Sequence, residues 1–558
     1  MSSRLIAPVL LAGALSLTAG AQIRSSGMED VSGWTSNLLE RGETAISDRV
    51  WASSEADFLL SLMEGLNIEE MTEAERELLS RLLRSPSAKP SGEDADALQA
   101  ERLRLLEALG ERRAVAMLGR QVDEVPDGVD ADAIIADNRL AAGELGLVCD
   151  QMNPEAAERF WLELRIICGV ESGNLAEAEL ALELAAGEEG ADPWVTETAI
   201  AIIAEADERP EARFGSGLQV ALSQLAELEG TADALEAARP DLAADYANDT
   251  RNPLALRLVA ARNATGAGLL DSPQYRSLYL DYVNVPAFEP ETPADEALYL
   301  LTQEPRPMSQ PARDLRNEGT LDIEDEAFEL GLDSPQASLE TRQADALVAA
   351  LEAASDNAVD YRTMAGLFQE DLKSFPVDAV TASQALEFAN AALALQNASL
   401  TNFWLDAAED AAGGASRQTA RMRGYSMVLS RERDRGAVEA VVSQLVGDDA
   451  SPEAEADALK LFSIWAGFDI SLPVAARKAL VDASADEAGT PGGALVAMEA
   501  AARGGAHGEA ILLLLNATDG APGELSPMTL QAVISTLRRF GAEADAQALA
   551  LEVAGFQP

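Results

Sequence analysis

The chain has 558 residues, yet it holds one histidine, His507, and two cysteines, Cys149 and Cys168. Its lysines are Lys89, Lys373, Lys460 and Lys478, so arginine carries most of the positive charge. Each scarcity excludes a chemistry. A zinc site assembled from several His and Cys ligands lacks its donors, and an H-E-x-x-H helix is impossible with one histidine. A Ser-His-Asp triad would have only His507, which lies in "RGGAHGEAILL" with no G-x-S-x-G nearby and reads as a polar residue of an inter-helix turn. No lysine completes a G-x-x-x-x-G-K frame, and no G-x-G-x-x-G opens a helix after a strand. Nucleotide phosphates therefore find no cradle in the sequence. "DGVDAD" at 127–132 lacks the ligand order of a calcium loop and reads as an acidic turn ending in a helix cap. No metal and no cofactor is expected.

Positive charge is scarce overall. Acidic residues number 95 against 41 basic ones, a formal charge of −54. Such a surface repels nucleic acid and anionic membranes. The acids are spread along the whole chain, which fits solubility in a salty medium or attraction of a basic partner.

The N-terminus, "MSSRLIAPVLLAGALSLTAGAQ", has Arg4 before an apolar run, then Ala19-Gly20-Ala21. This is the pattern of a cleaved signal peptide spanning 1–21, cut between Ala21 and Gln22. The run is shorter than the ~20 residues a bilayer core needs. No later segment is apolar enough to anchor the chain in a membrane after signal removal. The expected location is periplasmic, or secreted.

Strand signals are few. Ala, Leu, Glu and Arg recur with apolar residues three or four apart, as at Leu78, Leu79, Leu82 and Leu83. Caps support the helices: Asp192-Pro193, Ser451-Pro452 and Ser526-Pro527 each put a capping side chain before proline, and Asn153-Pro154 predicts a helix over 154–168. The fold class is all-α.

Glycines punctuate these helices at Gly110, Gly143 and Gly173, and again at Gly436, Gly467, Gly505 and Gly541. Alanine follows three of them five residues on, at Ala178, Ala510 and Ala546. Glycine ends one helix left-handed, and the small alanine lets the next pack closely. Here the chain resembles the tetratricopeptide-like helical repeats, over residues 98–230 and 420–554. That resemblance implies helical hairpins stacked into an α-solenoid that binds partners. The expected organisation after the signal peptide is an N-terminal helical segment and linker (22–97), an array (98–270), a Pro-rich aromatic junction (271–340) and a second array (341–558).

The junction holds Pro273, Pro286, Pro290, Pro293, Pro305, Pro307, Pro311 and Pro335, so it cannot be one long helix. It also places Tyr275, Tyr279 and Tyr282 on one helical face. We read these rings as sealing the junction; the alternative is an aromatic contact surface for a peptide or glycan. "CGVESGN" carries Glu171-Ser172, a pair that lytic transglycosylases use in catalysis. The supporting residues of that family do not follow, and Glu171 reads as a helix end.

Cys149 and Cys168 are too sparse for zinc and too far apart for a C-x-x-C redox pair. A helix from 154 would carry Cys168 about 21 Å from its start, whereas bonded cysteines have α-carbons roughly 4.4–6.8 Å apart. A tight turn at Asn153 and a disulfide therefore exclude each other, unless 149–154 runs extended beside the helix. An exported chain favours the disulfide. The expected function is a non-enzymatic scaffold or adaptor for a protein or envelope polymer. The alternative is a helical-fold cell-wall or polysaccharide enzyme with two facing carboxylates, flanked by Trp404 or Trp465, inside a closed ring.

Overall fold

The computed structural model of the chain describes residues 33–40, 42–47, 49–122, 126, 129–153, 158–185, 192–303, 335–430, 434–446, 451–483 and 492–555. The expected signal peptide and its cut at Ala21–Gln22 lie outside the described residues, as do Pro305, Pro307 and Pro311. Regular structure among the described residues is helical throughout, without a strand; one isolated bridge pairs Glu55 with Ser91. The all-α class stands.

One device ends ten of the described helices. At Gly110, Gly143, Gly268, Gly413, Gly505 and Gly541 the backbone turns left-handed, with φ between 72° and 79°. The next N–H then reaches five residues back, as from Glu111 to the Leu106 carbonyl at 2.9 Å. This is the Schellman motif, which satisfies the carbonyls orphaned at a helix end. Glycine is not obligatory for it. Glu205, Glu227, Gln396 and Asp469 take the same turn at φ 49–57° and make the same pair of bonds. This corrects the glycine reading at two points. Gly436 lies inside the Arg435–Leu445 helix, and Gly467 ends Pro452–Gly467. The turn after the latter belongs to Asp469. Gly467 instead admits a neighbouring helix, for a Cβ there would lie 2.6 Å from Ile534.

Ala178, Ala510 and Ala546 are fully buried. A Cβ on Gly169 would meet Ala178 at 2.9 Å, so the Arg159–Glu171 and Leu175–Ala185 helices pack backbone to backbone. Asp192, Ser451 and Ser526 cap their helices as expected. The helix expected after Asn153 is described from Arg159, and residues 154–157 lie outside the described set. Prolines of the junction fall in first helical turns, Pro273 in Ser272–Val283 and Pro293 in Pro293–Leu301, where a missing N–H costs nothing.

Neighbouring helices stack in chain order, and the last return to the first. Ala56–Glu64 packs on His507–Thr518, and Glu73–Arg84 on Glu543–Val553. Leu59, Leu79 and Leu82 share one core with Leu515, Ile534 and Leu551. Polar bonds join the same seam. The Ala74 N–H donates to Glu552 at 2.8 Å, Asn516 donates to the Leu62 carbonyl at 3.0 Å, and Arg81 pairs with Asp545. The array is therefore closed on itself. A second core runs from Leu235 to Met422, and a third, around Leu140, Leu164 and Trp194, underlies the site described next.

Candidate functional site: the pocket above the disulfide

Asp130 starts the site. Its Oδ1 accepts the Asp132 and Ala133 N–H groups, capping the Ala131–Ala141 helix. Its Oδ2 accepts the Trp161 indole N–H at 2.8 Å. One carboxylate thus sets the start of one helix and the position of an aromatic ring on another. Gly143 turns the chain into Leu145–Gln151, which carries Cys149 in its last turn. Cys149 and Cys168 are bonded, with α-carbons 5.6 Å apart.

The bond forms by a route different from the one expected. Residue 149 is helical rather than extended. Because the following helix starts at Arg159, Cys168 is only nine residues along it, a climb of about 13 Å. The late start removes the conflict between turn and bond. Cys168 is buried and Cys149 half-buried on the third core.

A cavity of about 440 Å³ is lined by residues of both helices that this bond joins, Val148 and Gln151 on one and Trp161 on the other. Ala136 and Val148, both buried, form its floor with half-buried Ile135, Met152 and Trp161. Its rim is polar: Arg120, Asp130, Asp132, Arg139, Gln151, Asn153 and Glu158. Arg139 donates to Gln151 at 2.7 Å, and Arg120 lies 3.5 Å from Asp132. Donors and acceptors thus stand side by side around an apolar base. Volumes of roughly 300–1,000 Å³ are usual for ligand pockets.

The other sequence candidates lie elsewhere. Tyr275 and Tyr279 are buried and Tyr282 half-buried, stacked in series with ring centres 5.7 and 6.2 Å apart. Tyr279 donates to Asp295 at 2.8 Å, and burial raises the proton affinity of both inner phenols. Arg276, on the same helix, is bonded to Asp371 at 2.9 Å and holds the junction to the following helices. Trp404 and Trp465 are fully buried, donating to the Leu372 and Gly424 carbonyls. His507 opens its helix and stacks on Phe540 at 4.6 Å. Glu171 ends its helix and Ser172 bonds back to the Cys168 carbonyl, so that pair is a helix terminus.

Two clusters have no signature in the sequence. Asp137 is buried between Arg112 at 2.7 Å and Arg239 at 2.6 Å, and it also caps the Gly217–Leu225 helix through the Leu218 N–H. In a cavity of about 220 Å³, Tyr361 donates to Glu387 at 2.6 Å beside Glu352 and Asn390. Burial raises the Glu387 pKa; the Tyr361 bond opposes that rise and the charge of Glu352 adds to it. Their ion-paired and bonded partners lie 25 to 102 residues apart, beyond any local motif. Among the described residues, no group of three or more His, Cys, Asp or Glu side chains is placed to hold a metal. No helix among them is long and apolar enough to cross a membrane. No protein-family model, curated protein or solved structure matches the chain.

Proposed function

We propose that the chain is an exported, non-enzymatic helical-repeat adaptor that holds a protein or envelope component. The observation that carries this reading is the recurrence of one helix-ending geometry from Gly110 to Gly541, with many helices packed in pairs along the chain. Stacked hairpins give a long rigid surface rather than one deep active-site cleft. Export is supported by the disulfide, a bond that persists in oxidising compartments. Apolar side chains at the surface support a docking role: Leu180 and Leu184, one turn apart on the Leu175–Ala185 helix, are each about half exposed. The formal charge of −54 favours a basic partner.

Affinity capture from an envelope extract tests this reading, with residues 22–558 as bait. A basic protein or an envelope polymer should be retained at low salt and released as salt screens the surface. Eluates indistinguishable from those of an inert acidic protein of similar charge would reject it.

A second reading, a polysaccharide-acting enzyme, draws on the Glu352–Glu387 pair and on the closed array. A carboxyl whose pKa is raised by burial suits a general acid. Its cavity of about 220 Å³ is small for a sugar chain, and the tryptophans expected to flank such a site are in the core. Loss of a hydrolytic activity in Glu387→Gln, with folding retained, would establish it.

A further inference from the structure

We infer that the pocket lined by the two helices that the Cys149–Cys168 bond joins is a binding site for a neutral saccharide of one or two rings. The inference rests on the adaptor reading and names the kind of ligand this one pocket takes.

The floor is the first reason. Pyranose rings present patches of C–H, which desolvate well on an aromatic or aliphatic base. Trp161 with Ile135, Val148 and Met152 supplies such a base. The rim is the second. A hydroxyl donates one hydrogen bond and accepts others, so a diol needs donors and acceptors next to each other. Arg139 beside Gln151, and Arg120 beside Asp132, offer that alternation in planar groups.

Charge narrows the ligand class further. Two arginines face three carboxylates, Asp130, Asp132 and Glu158, so the rim is nearly balanced. A fully anionic ligand would also meet a chain of charge −54. An uncharged polyhydroxyl compound avoids both penalties. Rigidity is the last reason. Trp161 is held by Asp130, Asp130 is held by its helix start, and the disulfide ties the two helices that supply Val148, Gln151 and Trp161. A site locked in this way loses little entropy when it binds.

The test uses the oxidised chain 22–558 in calorimetric and tryptophan-fluorescence titrations. The probes are N-acetylglucosamine, chitobiose, cellobiose and maltose, with the dipeptide Ala-Ala as a zwitterion and spermidine as a cation. At least one saccharide should bind with Kd no weaker than about 10 mM. Trp161→Ala should weaken it about tenfold or more, with an unchanged helical spectrum. Gln151→Ala, at an exposed rim position, should weaken it by a smaller factor. Cys149→Ser with Cys168→Ser should weaken it too, because the two walls are no longer tied. The inference is overturned if no saccharide binds, if only Ala-Ala or spermidine binds, or if saccharide binding survives Trp161→Ala. Cleavage of a bound disaccharide would instead overturn the adaptor reading while leaving the site in place.

Discussion

Asp137 shows how much one residue carries. Its carboxylate is almost fully buried, neutralised by Arg112 and Arg239 and bonded to the Leu218 N–H in the first turn of another helix. Removing it leaves Arg112 without its counter-ion and Arg239 with Asp241 alone, the two arginines still facing each other. Asp137→Ala should lose about 3–5 kcal/mol in urea unfolding, because breaking a buried pair strands its charges. Gly217 sits against the same residue: a Cβ there would lie 1.8 Å from the Asp137 carbonyl oxygen. Gly217→Ala must push two helices apart and should cost about 1–3 kcal/mol in the same measurement. Neither position stands out in the sequence. Asp137 is one of 95 acids, and its partners are set by how distant hairpins stack.

At the scale of the element, the helix endings behave as physics of the left-handed region requires. The sequence shows glycine turns at 110, 143, 173, 505 and 541, and each has positive φ. It does not show those at Glu205, Glu227, Gln396 and Asp469, because a surrounding hairpin can impose the turn on residues that tolerate it poorly. Gln396→Gly should therefore raise stability by about 0.5–1 kcal/mol, the relief of a strained φ less the extra freedom of the unfolded chain. A rise in melting temperature checks it; no rise would mean that the turn is unstrained. The disulfide belongs to this scale as well. It closes a loop across a sequence separation of 19 residues, and its loss should cost about 3 kcal/mol. Thiol titration of the unfolded, unreduced chain should find no reactive cysteine.

At the scale of the whole molecule, the closing seam has a built-in response to pH. Glu552 accepts the Ala74 N–H at the start of the Glu73–Arg84 helix, with Glu73 and Glu75 nearby. Burial pushes its pKa up to about 7; the bonds from Thr72 and Ala74 oppose the rise, and the two acids add to it. A carboxyl with a raised pKa holds its proton in the folded chain at pH values where the unfolded chain has lost it. Its contribution to stability is thus greatest below about pH 4.5 and declines as pH rises through about 7. The loss is on the order of 3 kcal/mol. Glu552→Gln should stabilise the protein relative to wild type at pH 8 and lose that advantage near pH 5. Melting temperatures of the pair across this range decide it, since the other acids cancel in the difference. The apolar contacts of the seam, Leu79 and Leu82 against Leu551 among them, keep it closed throughout.

The sequence alone determined the helices, their caps at Asp192, Ser451 and Ser526, and the pairing of Cys149 with Cys168. These depend on residues within a turn or two of each other, or on composition, and neighbouring side chains suffice to express them. Only the tertiary structure decided that the array closes, that Trp404 and Trp465 are core residues, and that Asp130, Arg139 and Trp161 share a pocket. Each of those outcomes sums the crossing angles of successive hairpins. Small differences in how an alanine or a glycine lets two helices approach accumulate along the chain. The partners brought together at the end are then no longer legible in any local pattern.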